Sequence, residues 1–271
     1  MARFSRAAGA LTLISLVPMT WAQTAPPQTA PAPSAPPQTL PLPAPSVDRD
    51  VSWRTLPKNV LKDQKRIWLF PASLAKGHNL VPFLLATAAT AGFIRLDPSV
   101  APYFRRTTEF KSFNSAFSGN NMVLATILVP VSFYAVGLIR HDSYAQKTAL
   151  LAGEAVVDVE ILDFIMKGIS RRIRPSAIPP NGNYSKTFFQ DHSSFLRDKS
   201  SFPSGHAIAA FAIATVFAHR YRSHRWVPWA AYGAAGLIAF SRLTTSAHFP
   251  SDIFVGGILG YSVAQFAVLR P

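Results

Sequence analysis

From Leu56 to the C-terminus, apolar segments of helical length alternate with short connections rich in proline, glycine and basic residues. The alternation of apolar and polar residues that marks a strand is absent. The segments predict helices at about 57–70, 79–95, 121–139, 145–170, 205–221, 226–241 and 252–268. This pattern restricts the chain to an all-α fold, a helical bundle, and no internal repeat is visible.

Two helix ends are marked by particular residues. The pair Asp97-Pro98 predicts the end of the helix at 79–95, because a residue before proline is disfavoured in helical conformation. The stretch TTEFKSFNSAFSG that follows places Phe110, Phe113 and Phe117 on one helical face, and Gly119 is suited to end that helix.

Several of the predicted helices approach the length that crosses a bilayer. The run at 121–139 is a good candidate for a span, whereas the helix at 145–170 carries Glu154, Asp158, Glu160 and Asp163. Each acid at mid-bilayer costs about 2.5–3.5 kcal/mol on insertion scales. A helix with one solvated face therefore explains these acids more simply than a span.

The N-terminus has the composition of a secretory signal. Arg3 and Arg6 precede a short apolar core, Ala10–Met19, and small residues stand before Gln23. The sequence predicts a signal peptide at residues 1–22, with an uncleaved anchor as the alternative. Either one places the following residues outside the cytoplasm.

Residues 23–47 are rich in proline and carry no charge. This composition is typical of an extended, disordered spacer, although a proline-rich ligand for a partner is also compatible with it. The folded domain is therefore expected to cover residues 48–271.

The chain is strongly basic, with 27 lysines and arginines against 13 acids and a formal charge of +14. Such a charge suits phosphorylated substrates or an anionic membrane surface. The basic residues are scattered and no nucleic-acid motif is present, which argues against a nucleic-acid partner. The chain has no cysteine, which excludes disulfides, thiol catalysis and cysteine-based zinc sites.

The segment KGISRRIRP, residues 167–175, groups several cations. Lys167 and Arg174 are two helical turns apart, so a helix would place them on one face, with Arg171 between them. Pro175 disfavours helix at Arg174 and indicates that the helix ends there. Cations at a helix C-terminus also simply suit the helix dipole, so this cluster alone is ambiguous.

The segment PSGH, residues 203–206, precedes a long apolar run. Ser204 can cap the helix, and Gly205 allows a ligand to approach the backbone closely. The N–H groups of the first turn then form an anion site, with His206 able to donate a proton. Alone, the segment also fits an ordinary capped helix.

The segment SRLTTSAHFPSD, residues 241–252, supplies a third group. Arg242 presents a planar fork suited to phosphate oxygens, and His248 and Asp252 are four residues apart. A carboxylate on one ring nitrogen of His248 would leave the other nitrogen free as a nucleophile. The same pair would also serve as a plain contact at a helix start.

Together the three segments supply cations, a helix N-terminus, two histidines and a carboxylate, which are the groups that phosphoryl transfer through a phosphohistidine requires. Their order and spacing resemble the three-part signature of the type 2 phosphatidic acid phosphatase superfamily. That superfamily includes bacterial acid phosphatases, lipid phosphatases and vanadium haloperoxidases. The resemblance covers about residues 145–252, and the helical pattern extends it to the C-terminus.

The resemblance implies roles for individual residues. His248 would be the nucleophile, Asp252 would hold it, and His206 would be the general acid. The phosphoryl oxygens would be bound by Lys167, Arg174, Ser204, Gly205 and Arg242. No metal and no cofactor are required, and Arg171 and Arg172 lie outside the signature as surface or substrate-approach charges.

The connection between the first two motifs offers candidates for substrate selection. Tyr184, Phe188, Phe189 and Phe195 would either form a lid over an apolar substrate tail or pack the loop onto the bundle. His192 is expected to be a surface histidine.

The leading function is hydrolysis of a phosphate monoester or a lipid (di)phosphate outside the cytoplasm. One alternative is a haloperoxidase that holds vanadate in the same pocket with His248 as its ligand. A second is a non-enzymatic basic envelope protein that binds anionic lipid. Membrane members of the family usually have six spans, with the site on the outer face. If the signal exports residue 48, three spans before Lys167 would place the first motif inside the cell, which is the wrong side for such a site. The sequence therefore favours a secreted domain or one that rests on a membrane.

Overall fold

The structure is a computed structural model that describes residues 49–117, 119–192 and 200–270. Within these ranges the chain is helical and contains no strand, which confirms the all-α prediction. The helices are α1 (Leu56–Trp68), α2 (Phe70–Ala75), α3 (Leu80–Arg106), α4 (Lys111–Ala116), α5 (Gly119–Ile139), α6 (Ser143–Ser170), α7 (Gly205–Arg220), α8 (Trp226–Thr244) and α9 (Pro250–Val263). A 3₁₀ turn covers Pro175–Ala177, and a π-helical turn, Ala264–Val268, continues α9. The predicted signal peptide and spacer lie outside the described residues.

Helix α7 lies at the centre of the bundle, packed against α6, α8 and α9. Two glycines of α9 allow it to approach α7 closely. A Cβ on Gly256 would lie 2.8 Å from the Ser204 carbonyl oxygen, and one on Gly260 would collide with the carbonyl of Ile208. Small residues let two helix backbones approach in this way. The contact brings the start of α9 beside the start of α7, where two of the predicted motifs lie.

Helix α3 continues past the end that the sequence predicted. It runs through Pro98 and Pro102 to Arg106, because Asp97 is buried against α9. The ring of Phe93 stacks on Phe254 of α9 at 4.5 Å. These tertiary contacts outweigh the local preference against helix before a proline.

Of the three phenylalanines predicted on one helical face, Phe113 lies within α4, and Phe110 and Phe117 are its N-cap and C-cap residues. Phe110 and Phe113 contact Phe240 of α8, with ring centroids 5.6 and 5.7 Å apart. Gly119, however, is the first residue of α5 and does not end α4, whose C-cap is Phe117.

The acids of α6 are the clearest departure from the sequence prediction. Of the four, only Glu160 is exposed, and Glu154, Asp158 and Asp163 are buried. Glu154 lies 3.0 Å from Arg49, and Asp158 accepts a hydrogen bond of 2.9 Å from Gln64 of α1. The predicted solvated face of this helix is therefore wrong, because polar partners from α1 cover it.

Among the described residues, three helices are long and apolar enough to cross a bilayer: α3, α5 and α9 with its π-helical turn. The two best exposed of them, α3 and α5, present rows of large apolar side chains on the surface, among them Leu84, Leu85, Leu124, Ile127 and Leu128. Large exposed apolar surfaces of this kind mark membrane or protein contacts. The structure thus favours a membrane protein over the secreted domain that the sequence suggested, and it retains the predicted span at 121–139.

Candidate active site

The three motifs meet at one end of the bundle. This end gathers the C-termini of α6 and α8 and the N-termini of α7 and α9. The Ser204 N–H donates to the carbonyl of Asp252 at 3.0 Å, which joins the second motif to the third. A Cβ on Gly205 would lie 3.3 Å from Nζ of Lys167, which shows how closely the first motif approaches the second. The predicted site residues therefore lie at or close to four helix ends of one cluster.

His248 is buried, and one of its ring nitrogens has a defined partner. Its Nδ1 lies 2.7 Å from the carbonyl oxygen of Ser201. Because a carbonyl can only accept, Nδ1 carries the proton and Nε2 retains its lone pair. Burial lowers the pKa of His248, and the nearby Asp252 acts in the opposite direction. A neutral imidazole with a free Nε2 is the form required for nucleophilic attack.

Asp252 holds His248 less directly than the resemblance implied. Its Oδ2 lies 3.8 Å from His248 Nδ1 and accepts a 2.7 Å hydrogen bond from the Phe249 N–H. The backbone carbonyl of Ser201, and not the carboxylate, is therefore the hydrogen-bond acceptor. At 3.8 Å Asp252 still acts on His248 through its charge.

His206 lies in the first turn of α7. Its Nε2 is 3.3 Å from the carbonyl oxygen of Gly119, at the start of α5. Burial lowers the pKa of His206 to about 4, helped by the positive charge of Arg242. The side chain is therefore neutral at pH 7 in the absence of substrate, and an anionic ligand in the same pocket would favour its protonated form.

The cations surround these histidines. Lys167 pairs with Asp163, one turn back on α6, at 2.8 Å. Arg242 donates from Nη2 to the carbonyl of Phe117 and from Nε to Ser241 Oγ at 3.0 Å. Arg174 precedes the 3₁₀ turn, and its charge, with that of Lys167, lowers the pKa of His248. Three positive groups thus face one pocket, as the binding of a phosphoryl group requires.

Ser204 occupies the N-cap position of α7, but its hydroxyl makes no capping hydrogen bond, contrary to the prediction. The side chain is fully buried, and within the described residues Oγ has no hydrogen-bond partner. Gly205 lies in a tight space, since a Cβ there would be 3.1 Å from Oδ2 of Asp163, and that side chain would have to shift slightly. A buried hydroxyl without a partner is costly unless a ligand satisfies it.

Two site residues were missed by the sequence. Arg172, interpreted as a surface or substrate-approach charge, is 1% exposed and donates to Asp252 Oδ1 at 2.5 Å. Its other terminal nitrogen contacts Asp97 Oδ2 at 2.6 Å. One signal was available, since Asp97 is the one acid of the apolar helix α3, and ionisable residues in such helices usually have a role.

The connection between the first two motifs packs onto the bundle where it is described. Tyr184 is buried and donates to the Pro179 carbonyl at 3.2 Å, and Phe188 covers the Arg172 guanidinium at 4.3 Å. Phe189 is exposed, and Phe195 lies outside the described residues. His192 is exposed, as predicted. Tyr184 and Phe188 therefore pack the loop onto the bundle, whereas Phe189 does not.

Comparison with known proteins finds a family and two relatives that are similar to the part of the chain that carries this site. The family model described as PAP2 superfamily matches residues 146–270, which contain all three motifs. The lipid A 1-phosphatase of Porphyromonas gingivalis is 37% identical over 67 residues, 24% of this chain and 15% of that protein. The lipid A 4'-phosphatase of the same organism is 26% identical over 125 residues, 45% of this chain and 51% of that protein.

The chain thus spans about half the length of one of these relatives and much less of the other. Among solved structures, the transmembrane PAP2 type phosphatidylglycerolphosphate phosphatase from Bacillus subtilis is similar with a TM-score of 0.39 and 18% identity. That similarity covers 76% of this chain and 94% of the other. The match to the PAP2 superfamily model covers a little under half of this chain, and the matched residues 146–270 include the whole three-motif cluster.

Proposed function

We propose that this protein is a lipid phosphatase that acts through a phosphohistidine on His248. The observation that carries the proposal is the state of the His248 ring. Its Nδ1 is bound to the Ser201 carbonyl, its Nε2 is left as a nucleophile, and the charges of Lys167 and Arg174 act on it. The buried, unpartnered hydroxyl of Ser204 supplies a further donor for a phosphoryl oxygen.

The proposed reaction has two steps. In the first, Nε2 of His248 forms a bond to phosphorus while the P–O bond to the leaving group breaks, and His206 transfers its proton to the leaving oxygen. In the second, water gives a proton to His206 and attacks phosphorus, which breaks the N–P bond and releases phosphate. The negative charge of Asp252 compensates the positive imidazole ring of the intermediate, and the cations stabilise the phosphoryl oxygens.

An apolar groove beside the site supports a lipid substrate. It has a volume of about 600 Å³ and lies between α3, α7, α8 and α9, with a wall that is almost entirely apolar. Two of its lining residues adjoin the site in sequence, since Leu243 follows Arg242 and Pro250 is two residues after His248. An acyl chain that enters from the bilayer would occupy this groove while its phosphate reached the cations. The two relatives are phosphatases of lipid A, which agrees with this class of substrate.

We further propose that the site faces the outside of the cell. Asp97 of α3 contacts Ser251 at the start of α9, whereas Arg49 contacts the carbonyls of Ala267 and Val268 beyond its end. If α3 crosses the bilayer, Arg49 and the site therefore lie on opposite sides. Residues 49–79, before α3, carry seven lysines and arginines, whereas the other end of α3 and the segment up to 117 carry three, Arg105, Arg106 and Lys111. The more positive side of a first span usually stays inside.

The proposed orientation keeps the segment before α3 inside the cell, whereas a signal peptide at residues 1–22 would export that segment. A measurement of the orientation therefore also tests the predicted signal. The chain has no native cysteine, which makes single-cysteine labelling clean. Exposed serines are available near the site, Ser185, and near the other end, Ser223. In whole cells, an impermeant maleimide is expected to label Ser185→Cys and to leave Ser223→Cys unlabelled. The reverse pattern would place the site inside and restore the export signal.

Replacement of the nucleophile tests the enzymatic proposal. His248→Ala is expected to reduce hydrolysis of a phosphorylated lipid by about 10³-fold or more and to abolish a ³²P-labelled protein intermediate trapped in alkali. His192→Ala, a change at an exposed histidine, is the matched control and should keep full activity. Unchanged turnover in His248→Ala would support a non-enzymatic lipid-binding protein. Bromide oxidation with vanadate and peroxide, without phosphatase activity, would support the haloperoxidase.

The groove can be tested with two glycines of α8. Gly236 lines the groove and Gly233 is exposed outside it, and a Cβ at either position meets no neighbour within 4 Å. Gly236→Leu is expected to raise the KM for a long-chain lipid phosphate about tenfold and to leave a short, soluble ester unaffected. Gly233→Leu should alter neither. Equal effects on both esters would show that the groove does not hold the lipid.

A further inference from the structure

Arg172 is a buried arginine beside the nucleophile, with its Nη1 bound to Asp252. Its side chain reaches two carboxylates, a serine and a threonine, and it lies between two phenylalanine rings. We infer that Arg172 is a positioning residue for the nucleophile, because it fixes both acceptors that face Nδ1 of His248. The inference rests on the proposed function and adds to it a residue outside the three-motif signature.

The side chain of Arg172 fixes the first acceptor, the Asp252 carboxylate. Nη1 donates to Oδ1 of Asp252 at 2.5 Å and to Oγ of Ser251 at 2.7 Å. The Phe249 N–H occupies Oδ2 of the same carboxylate. With both oxygens engaged, Asp252 cannot rotate, and its Oδ2 is held 3.8 Å from Nδ1 of His248.

The backbone of Arg172 fixes the second acceptor, the Ser201 carbonyl. The Ser201 N–H donates to the Arg172 carbonyl at 2.8 Å, and the Arg172 N–H donates to Ser200 Oγ at 3.0 Å. Ser201 Oγ is bound in turn to the carbonyl of Ile173 at 3.2 Å. The Ser201 carbonyl, which accepts the hydrogen bond from His248, is therefore held by Arg172, the residue that also orients Asp252.

Asp97 fixes Arg172 from the opposite side. It accepts from Nη2 of Arg172 at 2.6 Å and from the Ser251 N–H and hydroxyl at 3.1 and 2.6 Å. The guanidinium plane is stacked by Phe188 and Phe249, at 4.3 and 3.9 Å. A lysine could not span two carboxylates and fill this stacked space, because its ammonium is a compact point charge.

The consequence for chemistry is electrostatic. The charged and titratable groups that face His248 are Asp252, Lys167, Arg174 and His206. Of these Asp252 alone is negative, and Arg172 draws its Oδ1 away from the ring. Loss of the guanidinium frees Asp252 to turn toward His248 and bind its protonated form more tightly. The acidic limb of kcat/KM, which reports deprotonation of the nucleophile in the free enzyme, then moves to higher pH.

Two substitutions at Arg172 and two at its neighbour test the inference. Arg172→Lys and Arg172→Gln are compared with Arg171→Lys and Arg171→Gln, which make the same changes at an exposed arginine one residue away. Both Arg172 variants are expected to lose about tenfold to a hundredfold in kcat with KM changed less than about twofold, and to shift the acidic limb upward. The Arg171 variants should match the wild type in all three measurements.

Two outcomes would overturn the inference. In the first, Arg172→Lys folds and keeps the wild-type kcat and the wild-type acidic limb of kcat/KM. In the second, the variants lose activity only in proportion to the amount of folded protein that they lose. If the wild type does not hydrolyse lipid phosphates, the proposed function fails, and ¹⁵N spectra of the His248 ring still decide the positioning role. The Nδ1–H form is expected in the wild type, and in Arg172→Gln the ring is expected to stay doubly protonated to a higher pH, with His248→Gln used to assign the signals.

Discussion

Two clusters of buried charge in this protein are built from the same groups and differ in what they contact. In one, Arg172 joins Asp97 and Asp252, and within the described residues none of their buried polar atoms lacks a hydrogen-bond partner. In the other, Arg49 lies between Asp63 at 2.6 Å and Glu154 at 3.0 Å, with Asp158 nearby. There Nη2 of Arg49 and one oxygen of each acid have no aligned hydrogen bond.

The comparison shows that buried charge by itself does not mark a catalytic site. The Arg172 cluster adjoins His248, while the Arg49 cluster connects α1 and α6 to the carbonyls of Ala267 and Val268 and contacts no motif residue. Burial and pairing are common to both. The contact with a residue that can attack phosphorus is what separates a charge network that serves chemistry from one that serves stability.

The largest effect is expected at the catalytic end, from His206→Gln. Loss of the general acid should lower kcat by about 10²- to 10⁴-fold with an alkyl phosphate and much less with a p-nitrophenyl ester, whose leaving group needs no proton. His224→Gln, at an exposed histidine, is the control. Equal losses with both esters would show that His206 does not protonate the leaving group.

The pH dependence of the wild type provides a second check on His206. Because its pKa is lowered to about 4 in the free site, its protonated fraction falls as the pH rises above that value. The basic limb of kcat/KM is therefore expected near pH 4, and the basic limb of kcat at higher pH, because bound phosphate offsets the surrounding cations. Identical basic limbs in the two profiles would contradict this account.

The Arg49 cluster should behave in the opposite way. Arg49→Met leaves the buried acids without their cation and is expected to lower the free energy of unfolding in detergent by about 3–5 kcal/mol. The kcat per folded molecule should stay within about twofold of the wild type. Arg54→Met, at an exposed arginine close by, is the control for both measurements. A specific fall in kcat would break the distinction between the two clusters.

The smallest effect is expected from Ser204→Ala. Its hydroxyl makes no hydrogen bond in the described structure, so the variant should unfold at the same temperature as the wild type or slightly above it. Hydrolysis should nevertheless fall about threefold to tenfold, because one donor to the phosphoryl group is lost. Ser185→Ala is the exposed control. A large loss of stability without a change in activity would assign Ser204 to the helix cap.

The helical class and the three motifs could be predicted because both depend on local sequence. Period and length indicate helices, and Ser204, Gly205 and His206 stand at a helix start as predicted. The predicted helical face that joins Lys167 to Arg174 is wrong, because α6 ends at Ser170 and Arg174 is extended. The continuation of α3 through Asp97 and Pro98 could not be predicted in this way. It depends on Arg172 and Ser251, which are 75 and 154 residues from Asp97.

By itself, the sequence determined that the chain is all-α and that two histidines, an aspartate and a set of cations come in the order of the PAP2 signature. The tertiary structure decided which charges are buried and with which partners. It covered the acids of α6 with α1, gave Nδ1 of His248 a backbone acceptor, and enclosed Arg172. The physical reason is that the state of a buried ionisable group depends on its spatial neighbours, which local spacing does not specify.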